Sequence, residues 1–205
     1  MAGMLAVPSH SPLVQEKSKS DPENYRGIHL TSQISKVAER VIGKTFIPKL
    51  EKMGVFGDRQ FAYSAGKGHR DALALSVLSW ILSLEKGNLV GLYCSDVSGA
   101  FDRVCEQRLT EKLKRAGLHP QVLRLLCSWL EPRTSAVVLD GQKSAPQTLK
   151  NSVYQGTVLG PPLWNIHYAD AQVAVNAEGF SEVIFADDLN CSKDFGSHLT
   201  EAQIR

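Results

Sequence analysis

The 205-residue chain reads as an α+β layer fold, with helices packed on antiparallel strands. Three observations predict it. Apolar residues recur at helical spacing in several windows, as at Ile34, Val37, Ala38, Val41 and Ile42. Short apolar runs fall between those windows, as at 89–94 and 183–185. Asp140-Gly141, a pair favoured in tight hairpins, separates two strand-like segments.

The elements follow in order. Residues 1–21 are rich in Pro, Ser and charge, lack periodicity and read as a mobile lead-in. Residues 32 to about 49 form a helix, with Thr31 or Ser32 able to cap its start. Residues 54–68 contain four Gly and read as a loop. Residues 71–86 form a second helix, capped by Asp71 and ended at Gly87-Asn88. Its Leu73, Leu75, Val77, Leu78, Trp80, Ile81, Leu82 and Leu84 surround most of the circumference, which predicts burial. A strand is expected over 89–97 and helices over 106–116 and 120–130, the latter with Pro in its first turn. A hairpin spans 134–149, a helix runs from 162 to about 175, and a second hairpin covers 182–191. A last helix begins near Ser197.

Hydrophobic residues at 43% and charged residues at 21% describe an ordinary globular composition, long enough for one domain with an appendage. The net charge of +2 hides an asymmetry. From Arg26 to Arg70 there are nine Lys/Arg against three Asp/Glu, whereas from Ala171 to Arg205 six acids face two bases. A basic half and an acidic half suit a phosphate-rich substrate, although a solvated basic helix face is the plainer alternative. Cys94, Cys105, Cys127 and Cys191 lack metal-type spacing and read as small core residues in a reducing compartment. No run predicts a membrane span, and residues 1–10 do not read as a signal peptide.

The chemistry concentrates in three places. Phe185-Ala186-Asp187-Asp188-Leu189 puts two adjacent carboxylates at the tip of a strand-turn-strand. Neighbouring anions repel, and a hard divalent cation such as Mg²⁺ relieves the repulsion. Asp96 ends the apolar run 89–94 in a matching setting, so three carboxylates converge if the two strand ends lie side by side. Such a cluster can hold two metals for in-line phosphoryl transfer. Between them, Tyr154-Gln155-Gly156-Thr157-Val158-Leu159-Gly160-Pro161-Pro162 offers close backbone approach to a flat ligand. An ordinary Gly/Pro turn before a helix is the alternative there.

Taken in order, Asp96-x-x-x-Ala100-Phe101-Asp102, Gln155-Gly156-x-x-Leu159-Gly160-Pro161 and Phe185-Ala186-Asp187-Asp188 resemble the reverse transcriptase family, most closely the non-LTR (LINE-like) retrotransposon type. Residues 24–30 with 35–42, and Gln60-Phe61-Ala62-Tyr63 with Gly66–Ala72, resemble its fingers segments. The resemblance covers about residues 22–195. It implies a right-hand polymerase: fingers over 22–88, with elements that can interleave with the palm, and a palm over 89–205 built on an antiparallel sheet packed with helices. The chain is expected to stop before the thumb, because the lysine-bearing motif that normally follows the paired Asp is not recognisable.

The same resemblance implies RNA-directed DNA polymerase activity on an RNA template, a DNA primer and dNTP, within a longer retrotransposon polyprotein. Asp96, Asp187 and Asp188 match the catalytic, metal-binding positions for two Mg²⁺, with Mn²⁺ a possible substitute, and the Val97 carbonyl can add a ligand. Phe101 matches the steric gate that excludes a 2′-hydroxyl. Gln155, Gly156 and Arg26 match nucleotide-contacting positions, while Lys67 and Arg70 are candidates for nucleic-acid backbone contacts. Ala62-Tyr63-Ser64 stands where Gly-Phe-Arg is common, Gly99 where Lys is common, and Gly27 where Pro is common. The alternative is a catalytically silent nucleic-acid-binding remnant. Nuclear residence would follow from the family in a eukaryotic host, although no basic localisation cluster is present.

Overall fold

The computed structural model describes residues 2–8, 25–139, 141–150, 153–197 and 199, with backbone alone at 2–8, 25–28 and 139. The chain forms two compact units. One comprises residues 1–46 and 101–161, and the other 47–100 and 162–205.

The first unit is built on a sheet of β1 (Ala2–Pro8), β2 (Tyr25–Leu30), β4 (Arg133–Leu139), β5 (Gln142–Lys143) and β6 (Gln147–Leu149). β1 lies between β2, antiparallel, and β4, parallel. Ala2–Pro8, expected in an unstructured lead-in, is therefore a paired strand; the rest of that lead-in up to residue 21 lies outside the described residues. The expected 134–149 hairpin pairs, with both β5 and β6 on β4, while Asp140 of its turn lies outside the described residues. Helix α1 (Gln33–Lys52) starts at the expected place, where Ser32 Oγ accepts the Ser35 N–H at 3.1 Å. Helices α3 (Glu106–Arg115) and α4 (Pro120–Leu130) pair through Leu109, Leu113, Leu126 and Leu130, each buried and spaced by four residues.

The second unit holds the antiparallel sheet β3-β8-β7, with β3 at Leu89–Ser95, β7 at Ser181–Phe185 and β8 at Asp188–Phe195. Successive strand residues face opposite sides, so Val183 and Ile184 enter different cores. Val183 packs with Phe61, Ala72, Leu75 and Phe185 under helix α2 (His69–Glu85). Ile184, Leu189 and Cys191 pack with Tyr168, Val175 and Phe180 on the other side. There α5 (Gly160–Tyr168) is followed by α6 (Asp170–Ala177), the single expected helix being interrupted only at Ala169, whose backbone stays helical. Gly87, at φ 75°, supplies the left-handed residue that stops α2 and turns the chain into β3.

Helix α2 departs from expectation. Leu73, Leu78, Leu82 and Leu84 are each about half exposed or more, while Ala72, Ser76 and Ser83 are buried. The sheet side of the helix is thus small and polar. Its hydroxyls are satisfied: Ser76 Oγ donates to the Ala72 carbonyl at 3.0 Å, one turn back, and Ser83 Oγ donates to the Asp194 carboxylate on β8. Small side chains let a helix approach a sheet closely, and periodicity cannot show that choice. The cysteines also differ from a core set: all four are free, Cys191 is buried, and Cys94 is exposed. Among the described residues no helix is long and apolar enough to cross a membrane.

Candidate active site

The three carboxylates all belong to the second unit, and strand register places them. β3 pairs with β8 so that Ser95 faces Leu189. Asp96 directly follows Ser95 and Asp188 directly precedes Leu189, so the two acids flank the end of that pairing. β7 and β8 are joined by the two-residue turn Ala186-Asp187, closed by the Phe185–Asp188 pair. Asp96 and Asp188 are exposed and Asp187 is half-buried. The Asp188 carboxyl is held above its ordinary value by partial desolvation and then by repulsion from Asp187 and Asp96. Burial, with Asp187 adding to it, likewise raises the phenols of Tyr63 and Tyr168, so both keep their O–H beside the cluster at neutral pH. Carboxylate oxygens just past β3, in the β7–β8 turn and at the start of β8 are the donor type that a hard divalent cation takes. Among the described residues the side chains are not drawn together into a ready-made metal cage. The Val97 carbonyl accepts the Ala100 N–H at 3.1 Å, which leaves one lone pair for any other partner.

The turn beneath these carboxylates is strained and clasped. Ala186 has φ 59°, a left-handed conformation that costs a non-glycine residue about 1–2 kcal/mol. Two-residue hairpin turns require such a residue because it matches the twist of the flanking strands. The Gln60 side chain binds both polar atoms of Ala186: its Nε2 donates to the carbonyl at 3.1 Å, and its Oε1 accepts the N–H at 3.0 Å. Trp164 Nε1 donates to the same carbonyl at 2.9 Å. Gln60 Oε1 also accepts the Ala62 N–H, and the Ala62 carbonyl accepts from Asn165 Nδ2 at 2.9 Å. Gln60, Trp164 and Asn165 are all buried. The backbone reinforces the clasp, since Phe61 N–H donates to Ile184 and Ile184 N–H donates to Arg59.

In the first unit, Gln155 and Gly156 sit exposed at the tip of a braced loop, with Gly156 at φ 93°. The Gln155 carbonyl accepts the His29 N–H at 3.0 Å. Thr157 Oγ1 donates to the Tyr154 carbonyl at 2.5 Å and accepts the Gly160 N–H at 3.2 Å. A Cβ at Gly160 would lie 2.8 Å from Thr157 Oγ1 and 3.0 Å from the Tyr154 carbonyl, so only glycine fits without movement. Glu39, buried on α1, accepts the Val158 and Leu159 N–H groups on one oxygen, at 2.7 and 3.1 Å. Phe101 is half-buried beside this loop, its carbonyl accepting the Val153 N–H at 2.9 Å. Behind the loop, Tyr154 is buried against His29, Trp129 and Arg133, whose guanidinium lies 4.5 Å from the Tyr154 ring centre and 5.0 Å from that of Trp129. Burial holds the His29 imidazole below its ordinary value, against the opposing pull of the Gln155 carbonyl and Asp102.

Three candidates remain. Arg26 lies in β2, and its side chain is outside the described residues. Lys67 is exposed but folds onto its own loop, reaching the Asp58 carbonyl and the face of Phe61. Arg70 is exposed in the first turn of α2. Sequence reasoning placed Gln60 in a fingers-like segment without giving it a role, and gave none to Glu39 or Trp164, because their partners are 22 to 126 residues away.

Residues 15–203 match the family model described as reverse transcriptase (RNA-dependent DNA polymerase). The chain belongs to this family. The RNA-directed DNA polymerase of the mobile element jockey from Drosophila funebris is 32% identical over 191 residues, 91% of this chain and 20% of that relative. A probable RNA-directed DNA polymerase from the transposon X-element of Drosophila melanogaster is 33% identical over 84% of this chain and 19% of its own length. These relatives place the reverse transcriptase domain among the non-LTR, LINE-like kind, and the chain spans about a fifth of their length. Apo telomerase from Candida tropicalis shares the fold, with a TM-score of 0.59 at 13% identity over 94% of this chain and 42% of that one. Telomerase from Candida albicans, solved with a fragment of telomeric RNA, gives a TM-score of 0.58 at 14% identity over 94% of this chain and 37% of that one.

Proposed function

We propose that this reverse transcriptase domain is an RNA-directed DNA polymerase, adding dNTP to a primer 3′-hydroxyl on an RNA template. The observation that supports this reading is the β3–β8 pairing that ends at Ser95–Leu189, beside Asp96 and Asp188, with Asp187 in the adjoining turn and all three acids coupled at Asp188. Asp96, Asp187 and Asp188 would hold Mg²⁺, with Mn²⁺ as a substitute. The bound metal supplies charge neutralisation for in-line phosphoryl transfer. The second unit, an antiparallel sheet covered on both faces by helices, is read as the palm core. The β1–β2–β4 unit is read as carrying fingers elements.

The protein's own groups then have distinct roles. The carboxylates position the cation. Tyr63 and Tyr168 remain neutral donors near Asp187. Gln155 and Gly156 present an exposed, braced edge to the nucleotide and template. Phe101, whose backbone is tied to Val153 and whose ring lies beside Gly160, would offer that ring for a sugar to rest against, which disfavours a 2′-hydroxyl. Arg26 would neutralise the triphosphate. Intact carboxylates favour this reading over a silent nucleic-acid-binding remnant. Primer extension by the purified chain on an RNA template tests it: metal-dependent incorporation that Asp188→Asn abolishes supports the proposal, and none from the wild type rejects it.

A further inference from the structure

We propose that Gln60 is a positioning residue for the metal-binding carboxylates, acting through the backbone of Ala186. The inference rests on the metal-site reading above. A primary amide carries a donor and an acceptor side by side, so it can donate to the carbonyl and accept from the N–H of one residue at once. Gln60 does so at 3.1 and 3.0 Å, while buried and with its oxygen shared by the Ala62 N–H. Ala186 holds a left-handed φ of 59° and directly precedes Asp187. The peptide planes on either side of Ala186 determine where the Asp187 and Asp188 side chains start. Trp164 Nε1 fills the second lone pair of the same carbonyl, so the plane is fixed from two directions. Neither Gln60 nor Trp164 is expected to touch the cation; each determines where the ligands stand.

Substitutions separate this role from simple folding support. Gln60→Glu keeps the shape but turns an oxygen toward the Ala186 carbonyl. Gln60→Leu removes both bonds. Trp164→Phe removes one donor and keeps a ring. Ala186→Gly relaxes the backbone requirement, because glycine adopts positive φ freely. The experiment is Mn²⁺ titration of the full chain by electron paramagnetic resonance, with melting temperature measured in parallel and primer extension recorded against Mg²⁺ concentration.

The expected result is a Mn²⁺ dissociation constant raised about 10–100-fold by Gln60→Glu and Gln60→Leu, with a smaller rise for Trp164→Phe. Ala186→Gly added to Gln60→Leu should recover part of the loss. Unchanged Mn²⁺ affinity in a folded Gln60 variant overturns the proposal, as does the absence of any recovery by Ala186→Gly. If Gln60→Leu does not fold, the comparison rests on Trp164→Phe, whose wild-type affinity would equally overturn it. Wild-type Mn²⁺ binding that Asp188→Asn removes, without RNA-templated extension, would reject the polymerase reading and leave the Gln60 inference standing.

Discussion

Glu39→Ala should destabilise the chain more than a surface substitution on a basic helix could. One Glu39 oxygen accepts two backbone N–H groups, from Val158 at 2.7 Å and Leu159 at 3.1 Å. Glu39 and Leu159 are almost fully buried. Removing the carboxylate leaves two donors without their partner, each costing about 1–3 kcal/mol. Water entering the vacated space and the relief of burying a carboxylate offset part of that cost. The net loss is then about 2–4 kcal/mol, or roughly 4–16 °C for a chain of this size. Glu39→Gln keeps an acceptor but loses the charge, and should forfeit about half as much. Thermal unfolding by circular dichroism at fixed pH checks both. If Glu39→Ala melts within 1 °C of wild type, the bracing argument is wrong. The same variant should raise KM for dNTP more than it lowers kcat, because the loop it braces carries Gln155 and Gly156.

Other outcomes follow from the same geometry. Gly160→Ala forces a Cβ against Thr157 Oγ1 and the Tyr154 carbonyl, and should cost about 1–3 kcal/mol in chemical denaturation. Phe101→Val should narrow the preference for dNTP over NTP in single-nucleotide incorporation, and unchanged discrimination would undercut the gate. The raised Asp188 carboxyl means that the folded protein binds its proton more tightly than the unfolded chain, so this group weakens the metal-free fold as pH rises from about 4 through its folded value. Asp188→Asn should therefore raise the melting temperature of the metal-free protein at pH 7. That gain should fade as pH falls through the folded value and vanish below about 4, where the folded and unfolded forms both become protonated. A gain independent of pH would exclude charge repulsion as its source.

The parts of the fold legible in the sequence were those with local causes. An apolar run, two acids and another apolar residue suffice to place β7, its turn and β8, because a hairpin needs only neighbours in sequence. The Ser32 cap and the Gly87 stop are equally local. The hidden features depend on distant partners. Glu39 looks like a solvated acid on a basic helix until α1 meets a loop 119 residues later. Gln60 stands in a fingers-like segment, but its role stays hidden until it meets Ala186, 126 residues away. Helix α2 inverted its expected burial because a serine-lined face packs close to the sheet, while its leucines stay exposed. β1 was missed because its parallel partner, β4, is more than a hundred residues distant.

Asp96 gives the sharpest test, since it alone among the three acids comes from a separate strand. Mg²⁺-dependent dNTP incorporation on an RNA-templated primer should fall by about 10³-fold or more in Asp96→Asn, with template binding and melting temperature close to wild type. Incorporation by Asp96→Asn at the wild-type rate would contradict a shared ion site between β3 and the β7–β8 turn.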